Sequence, residues 1–336
     1  MGKKFGMRMN SIILMLLLLL GAFIVVVPGT AIAPQVGDWT YTSSSPGVAE
    51  ITGYTGNGGA ITIPSDLDGN TVTAIMGHTF QTYYGSLVTS IIIPNSVTFI
   101  DEMAFGFCTS LTSITIPDSV TTIGKMVFSG CTSLTSVTLP NSVMTIGDEM
   151  FNRCKALTSI TIPDSVISIG DRAFFECTNL TSVTIPNRVT NLGNYAFSTC
   201  TSLTSVTIPD SVTTIGESAF SDCTALTSVN IGSGVTAIDV YAFNGCTSLT
   251  SITFLGPTAP IVVGDHWIDN TNSALAGHAY ADSNFPATGE DWYGLTMGDV
   301  LPEPASPSID STMLYLAIGI VAVVVVIAVV LTLKKK

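Results

Sequence analysis

The 336-residue chain has a formal net charge of −13, from 24 acidic and 11 basic residues. Lys3, Lys4, Arg8, Lys334, Lys335 and Lys336 lie at the ends, so residues 34–312 hold 24 acids against 5 bases, a net of −19. A body of that sign repels phosphates and anionic headgroups, which argues against nucleic acid as a partner. Its three histidines, His78, His266 and His278, have neither ligand nor triad spacing and leave catalysis little to work with.

Residues 12–27 form a 16-residue apolar run behind a basic start. That is short for a membrane span and suited to a secretory h-region. Ala31-Ile32-Ala33 offers a small-x-small cleavage pattern, with Gly29-Thr30-Ala31 as the fallback because Pro34 follows directly. Residues 1–33 are therefore expected to be a signal peptide, or an N-terminal anchor if uncleaved. Residues 34–60, with β-prone pieces at Trp39 to Thr42 and Val48 to Thr52 and a turn signal at Asn57-Gly58, are expected to form an N-terminal β cap.

From residue 61 to 256 the chain is periodic. Cysteines stand at 108, 131, 154, 177, 200, 223 and 246, each 23 residues after the last. A Phe precedes each by three residues (Phe105 to Phe243) and a Leu follows by three (Leu111 to Leu249). The unit reads L-T-S-I-T-I-P-D-S-V-T-T-I-G-x-x-x-F-x-x-C-x-x, and a fixed period of this size signals a solenoid. Alternation along the strand turns Ile114 and Ile116 inward and Ser113 and Thr115 outward, and Pro117 ends the strand for want of an N–H. Val120 and Ile123 return to the core, Gly124 allows a bend, and Met126 to Cys131 is expected to be one helical turn or a 3₁₀ piece. The first unit is 30 residues long (Pro64 to Pro94), with extra residues placed at turns near Leu67 to Asn70 and Gln81 to Ser86. Asp66, Asp68 and Asn70 lack the rest of a calcium loop and read as an Asp-Gly turn.

Leu111-Thr112-Ser113-Ile114-Thr115-Ile116-Pro117, Val120, Ile123-Gly124, Phe128, Cys131 and their copies resemble the BspA-type leucine-rich repeats. The resemblance covers residues 61–256. It implies a β-rich α/β solenoid, a right-handed leucine-rich-repeat coil stack on a cell surface, used for adhesion or recognition. It brings no catalytic residues, and neither enzyme activity nor a cofactor is expected.

Residues 257–300 contain Trp267, Tyr280, Phe285, Trp292 and Tyr293. They are expected to cap the last coil, with an aromatic carbohydrate patch as the sharper alternative. Residues 301–312 form a Pro-rich stalk. Residues 313–333 are a 21-residue uncharged apolar run ending in Lys334-Lys335-Lys336, long enough as one C-terminal transmembrane helix to cross a core of about 30 Å. Positive charge beside both apolar segments puts both ends in the cytoplasm and residues 34–312 outside.

Seven cysteines in an exported chain suggest disulfides. In stacked coils, however, their Cβ vectors run parallel and stay too far apart, and the number is odd. Buried thiols acting as small hydrophobes are expected, with no metal site and no disulfides. Asn179, in the sequence Asn179-Leu180-Thr181, sits at a coil edge and could carry a glycan. The candidate binding surface is the outward strand face: Ser113/Thr115, Ser136/Thr138, Ser159/Thr161, Ser182/Thr184, Ser205/Thr207, Ser228/Asn230 and Ser251/Thr253. Uniform rows of hydroxyls suit either a solubilising ladder or a periodic partner. Coil-to-coil variation falls on pairs such as Lys125-Met126, Asp171-Arg172 and Asn194-Tyr195, where protein recognition could equally sit. Two readings follow: a surface module recognising proteins or glycans of other cells, or a structural envelope component without a ligand.

Overall fold

The computed structural model describes residues 34–81 and 85–302. Both long apolar segments, the stalk from residue 303 onward and the basic tail lie outside the described residues, and with them the expected signal and membrane helix.

The outward-facing strands stack in parallel as expected. They hydrogen-bond in sheets of four, two and four strands, one strand per coil. Register is strict: Ser136 lies opposite Ser113 and Thr138 opposite Thr115. The same holds for Ser228–Ile231 against Ser205–Ile208. Each coil also carries a second short strand, at the Val-x-x-Ile segment where sequence suggested only a return to the core. Thr145–Ile146, Ser168–Ile169, Asn191–Leu192, Thr214–Ile215, Ala237–Ile238 and Val262–Val263 form one six-stranded parallel sheet.

On the third side the expected helical turn is absent. Among the described residues there is no α-helix, and the one 3₁₀ turn is Gly85–Leu87. The fold is therefore a β-solenoid rather than an α/β one. Backbone hydrogen bonding gives the reason. The N–H groups of Met126, Phe128 and Gly130 donate to the carbonyls of Asp148, Met150 and Asn152 in the next coil, while those of Ser129 and Cys131 close turns on Met126 and Phe128. A helix would point its N–H groups along its own axis rather than at the neighbouring coil, and this side of the stack would lose its bonds between coils. The turns require left-handed backbone at two positions per coil, such as Met126 (φ 55) and Gly130 (φ 75). Residue type at the first position differs from coil to coil (Met126, Glu149, Arg172, Tyr195, Ser218) while its left-handed conformation does not.

Gly124 is kept for contact rather than for a bend. Its φ is not left-handed, but a Cβ there would lie 2.5 Å from the Glu102 backbone nitrogen of the coil before. The core is a column of rings: from Phe105 to Phe243, successive Phe centroids are 5.0 to 5.6 Å apart and within 12° of parallel. The Cys and Leu of every repeat are buried beside them.

The long first coil is accommodated as the spacing suggests. Asp66–Leu67 folds back on Asn70–Ile75 as a hairpin, and Ile61 still pairs with Ile91. At the N-terminal end, Gln35–Val36, Trp39–Thr42 and Val48–Tyr54 pair antiparallel in succession. Val48–Tyr54 then pairs in parallel with Asn70–Ile75, joining this end directly to the stack.

At the other end, the boundary drawn at residue 256 falls inside the stack. Val262–Val263 pairs with Ala237–Ile238, and Ala276–His278 pairs with Ser251–Phe254, so both ladders run one coil further. The offset there is 25 residues (Ala237 to Val262) instead of 23. Phe243 also donates to the Trp267 carbonyl as Phe220 does to that of Ala242, so a Trp stands where the previous coil has Ala. Lengthened spacing and changed marker residues hide this coil in the sequence. An antiparallel hairpin, Asp291–Trp292 with Leu295–Thr296, closes the end.

Candidate binding face

Hydroxyl side chains fall into rows running along the stack, and the rows differ in what they bond. Thr112, Thr135, Thr181, Thr204, Thr227 and Thr250, just before each strand, donate to the carbonyl of the equivalent Thr one coil back, at 2.9 to 3.3 Å. In the second ladder Thr190, Thr213 and Thr236 bond the preceding coil in the same way. After the strands, Ser119, Ser165 and Ser211 donate to the carbonyls of Val97, Val143 and Val189 at 2.6 to 2.7 Å. These rows bond one coil to the next.

The outward strand rows do not. Ser113, Thr115, Ser136, Thr138, Ser159, Thr161, Ser182, Thr184, Ser205 and Thr207 are all exposed, with the inward residue between each pair facing the core. Only Asn230 and Thr207 bond each other within these rows, at 3.4 Å. Ser228 and Ser251 are half-buried. One strand earlier the Thr row is interrupted by Ile92, which is 63% exposed. An open groove of about 870 Å³ lies over this part of the face, lined by Ser90, Ile92, Ser113, Thr115, Asp118 and Thr138 among others. Ile92 gives the hydroxyl face one apolar anchor. Its Ile91-Ile92-Ile93 run in the sequence was the available signal.

The variable turn side is largely occupied with itself. Asp148 pairs with Lys125 at 2.6 Å, and Glu176 with Arg153 and Lys155 at 3.4 and 3.7 Å. Asp148, Asp171 and Asn194 each accept the backbone N–H of the equivalent residue one coil on. Arg172 lies 5.0 Å from the Tyr195 ring centroid, and Tyr195 donates to Glu217. Exposed ion pairs of this kind contribute little stability, but the carboxylate-to-backbone bonds satisfy turn N–H groups that face out of the stack.

Every cysteine is a buried free thiol. Each from Cys131 to Cys246 donates to the carbonyl of the Phe 26 residues earlier, at 3.1 to 3.2 Å. The thiols therefore bridge coils as well as fill space, which spacing alone does not reveal. Burial pushes the pKa of Cys131, Cys154, Cys177 and Cys223 well above the ordinary thiol value, and those of Cys108 and Cys200 to about 12. Thiols held neutral in this way are poor nucleophiles.

The remaining candidates have structural roles. Asp66 accepts the N–H of Gly69, and Asp68 and Gly69 are both left-handed, as an Asp-Gly hairpin turn requires. Asn179 is exposed, while the hydroxyl of its partner Thr181 is bonded to Thr158. Among the described residues no three His, Cys, Asp or Glu side chains group as a metal site. The C-terminal aromatics mostly pack as a lid. Trp267 and Trp292 are 2% and 7% exposed, and Phe254 meets Phe285 at 4.5 Å and Trp292 at 5.1 Å. Both tryptophans are thereby removed from any sugar-stacking surface.

Three proteins of known structure are similar to the chain. A leucine rich cell surface protein from Faecalibacterium prausnitzii A2-165 is 26% identical over 83% of this chain and 97% of that one, with a TM-score of 0.41. The leucine rich repeat protein of T. pallidum is 26% identical over 72% and 92%, with a TM-score of 0.42. One from Bacteroides ovatus ATCC 8483 is 22% identical over 80% and 99%, with a TM-score of 0.37. No curated protein matches the chain. The BspA type leucine rich repeat region, in six copies, matches residues 73–192 and 145–272. Together these stretches span more than half of the sequence and reach into the last coil, past Val262–Val263. The chain belongs to the BspA type leucine rich repeat family.

Proposed function

We propose that this protein is a non-catalytic recognition module held outside the cell by the apolar segment 313–333, with the outward strand face as its ligand surface for proteins or glycans. The observation that carries this reading is the division of hydroxyl rows. The rows just before and just after each strand bond the neighbouring coil, whereas the outward strand rows leave exposed donors and acceptors unengaged beside a groove. Such groups gain from a polar partner at little cost to the fold. The acidic body repels anionic polymers, so a protein ligand or a neutral glycan fits best.

The test is binding of the purified full-length chain to a panel of extracellular proteins and neutral glycan polymers. Saturable, competable binding is expected, and its absence across the panel would leave a structural envelope component instead. Ile92→Thr, which completes the hydroxyl row, separates the ligand classes. Affinity for a protein that seats an apolar side chain on Ile92 drops, whereas a periodic glycan is unaffected or gains.

A further inference from the structure

We infer that the polar depression beside Tyr293, at the C-terminal end of the stack, is a carbohydrate subsite that takes one pyranose ring of a glycan. It is separate from the strand face and does not depend on that face binding anything. The depression has a volume of about 320 Å³, and His266, Asp269, Asn270, Tyr293 and Thr296 contribute to its lining.

Tyr293 is the first reason. It and Gly294 form the two-residue loop between Asp291–Trp292 and Leu295–Thr296, with φ of 51° and 85°. Loops with both residues left-handed favour Asn-Gly or Asp-Gly, and a bulky aromatic there is strained. Left-handed residues within the coils are supported by stacking, as when Tyr195 donates its N–H to Glu217 in the next coil. The hairpin tip has no following coil. Instead the buried Trp267 donates its indole N–H to the Tyr293 carbonyl at 2.9 Å, and Asp291 accepts the N–H of Gly294 at 3.1 Å. The backbone at Tyr293 is thus held in a strained conformation by these bonds, and its side chain is left 57% exposed.

The second reason is the company it keeps. Trp267, Trp292 and Phe285 pack into the lid, and Tyr293 stands edge to face against Trp292 at 5.3 Å as the one of these four rings that is largely exposed. Around it, Asn270 and Thr296 are exposed, and neither side chain makes a hydrogen bond within the described structure, while Asp269 pairs with His266 at 2.6 Å. An aromatic face flanked by an amide, a hydroxyl and a carboxylate matches a pyranose, which has an apolar C–H face and a rim of hydroxyls.

The test titrates the full-length chain with glucose, galactose, mannose, N-acetylglucosamine and their short oligomers, read by saturation-transfer NMR. Tyr293→Asn restores the residue type that the turn prefers, so its thermal midpoint is expected to hold or rise. Tyr293→Trp keeps the platform, and Lys155→Ala alters an exposed side chain of the turn side, away from both the depression and the strand face. The expected result is saturable binding of at least one sugar, weakened about tenfold or more by Tyr293→Asn and retained by the other two variants. Saturable binding that Tyr293→Asn leaves unchanged, or none by any sugar, would overturn the assignment.

Discussion

At the scale of single residues, the thiol column joins one coil to the next. Cys177, in mid-stack, donates to the Phe151 carbonyl and lies in the buried column beside Phe174 and Leu180. Cys177→Ala removes that bond and leaves a small void, so a loss of about 1–2 kcal/mol is expected from denaturant unfolding. A neutral result would reduce the thiol to a space-filler. Ionisation follows the same logic. Thiols ordinarily titrate near 9.0, while burial holds Cys108 and Cys200 to about 12. Between those values the folded state binds more protons than the unfolded one, so stability is intact below pH 9 and declines as pH rises toward 12. Thermal melts across this window should show that decline, and Cys200→Ala should make it shallower. The Phe, Cys and Leu columns were legible because burial fixes residue type at each period. The S–H bonds were not, because a donor's direction depends on how one coil sits over another.

Rows of hydroxyls define the element scale. Thr135 and Thr138 lie three residues apart in one coil and are both exposed, yet Thr135 donates to Thr112 at 2.9 Å and Thr138 donates to nothing in the described structure. Thr135→Val is therefore expected to cost about 0.5–1 kcal/mol, and Thr138→Val to be near neutral. Equal costs in chemical denaturation would show that the rows do not differ. Strand alternation made the outward face readable, since period two assigns Ser113 and Thr115 to solvent once Ile114 is in the core. The second ladder and the turn side were less readable. Two-residue strands such as Thr122–Ile123 are too short for any alternation to show, and inter-coil hydrogen bonds override the helical reading of Met126 to Cys131.

For the whole molecule, a stack in which each coil bonds only its neighbours should tolerate removal of one entire period. Deleting residues 168–190 joins Ile167 to Asn191 in the same column, because Ser168 pairs with Asn191. The shortened chain should fold cooperatively with a proportionally smaller denaturant slope. Deleting 168–179 alone breaks register and should abolish folding. If the two deletions behave alike, neighbour-only stacking is wrong. The period also explains what sequence missed at this scale: the final coil keeps the pairing but changes its spacing and markers, and the backbone ladders disclose it.

On the proposed function, recognition belongs to the outward strand rows and not to the self-paired turn side. The direct measurement compares two double variants of the full-length chain for affinity toward the same ligand. Thr115→Tyr with Thr138→Tyr obstructs the groove, and Arg172→Ala with Tyr195→Ala strips the most prominent turn-side contact. The strand variant should lose about tenfold or more in affinity at an unchanged thermal midpoint, with the turn-side variant within about twofold of the parent chain. Loss of binding in the turn-side variant, with the strand variant unaffected, would contradict the account.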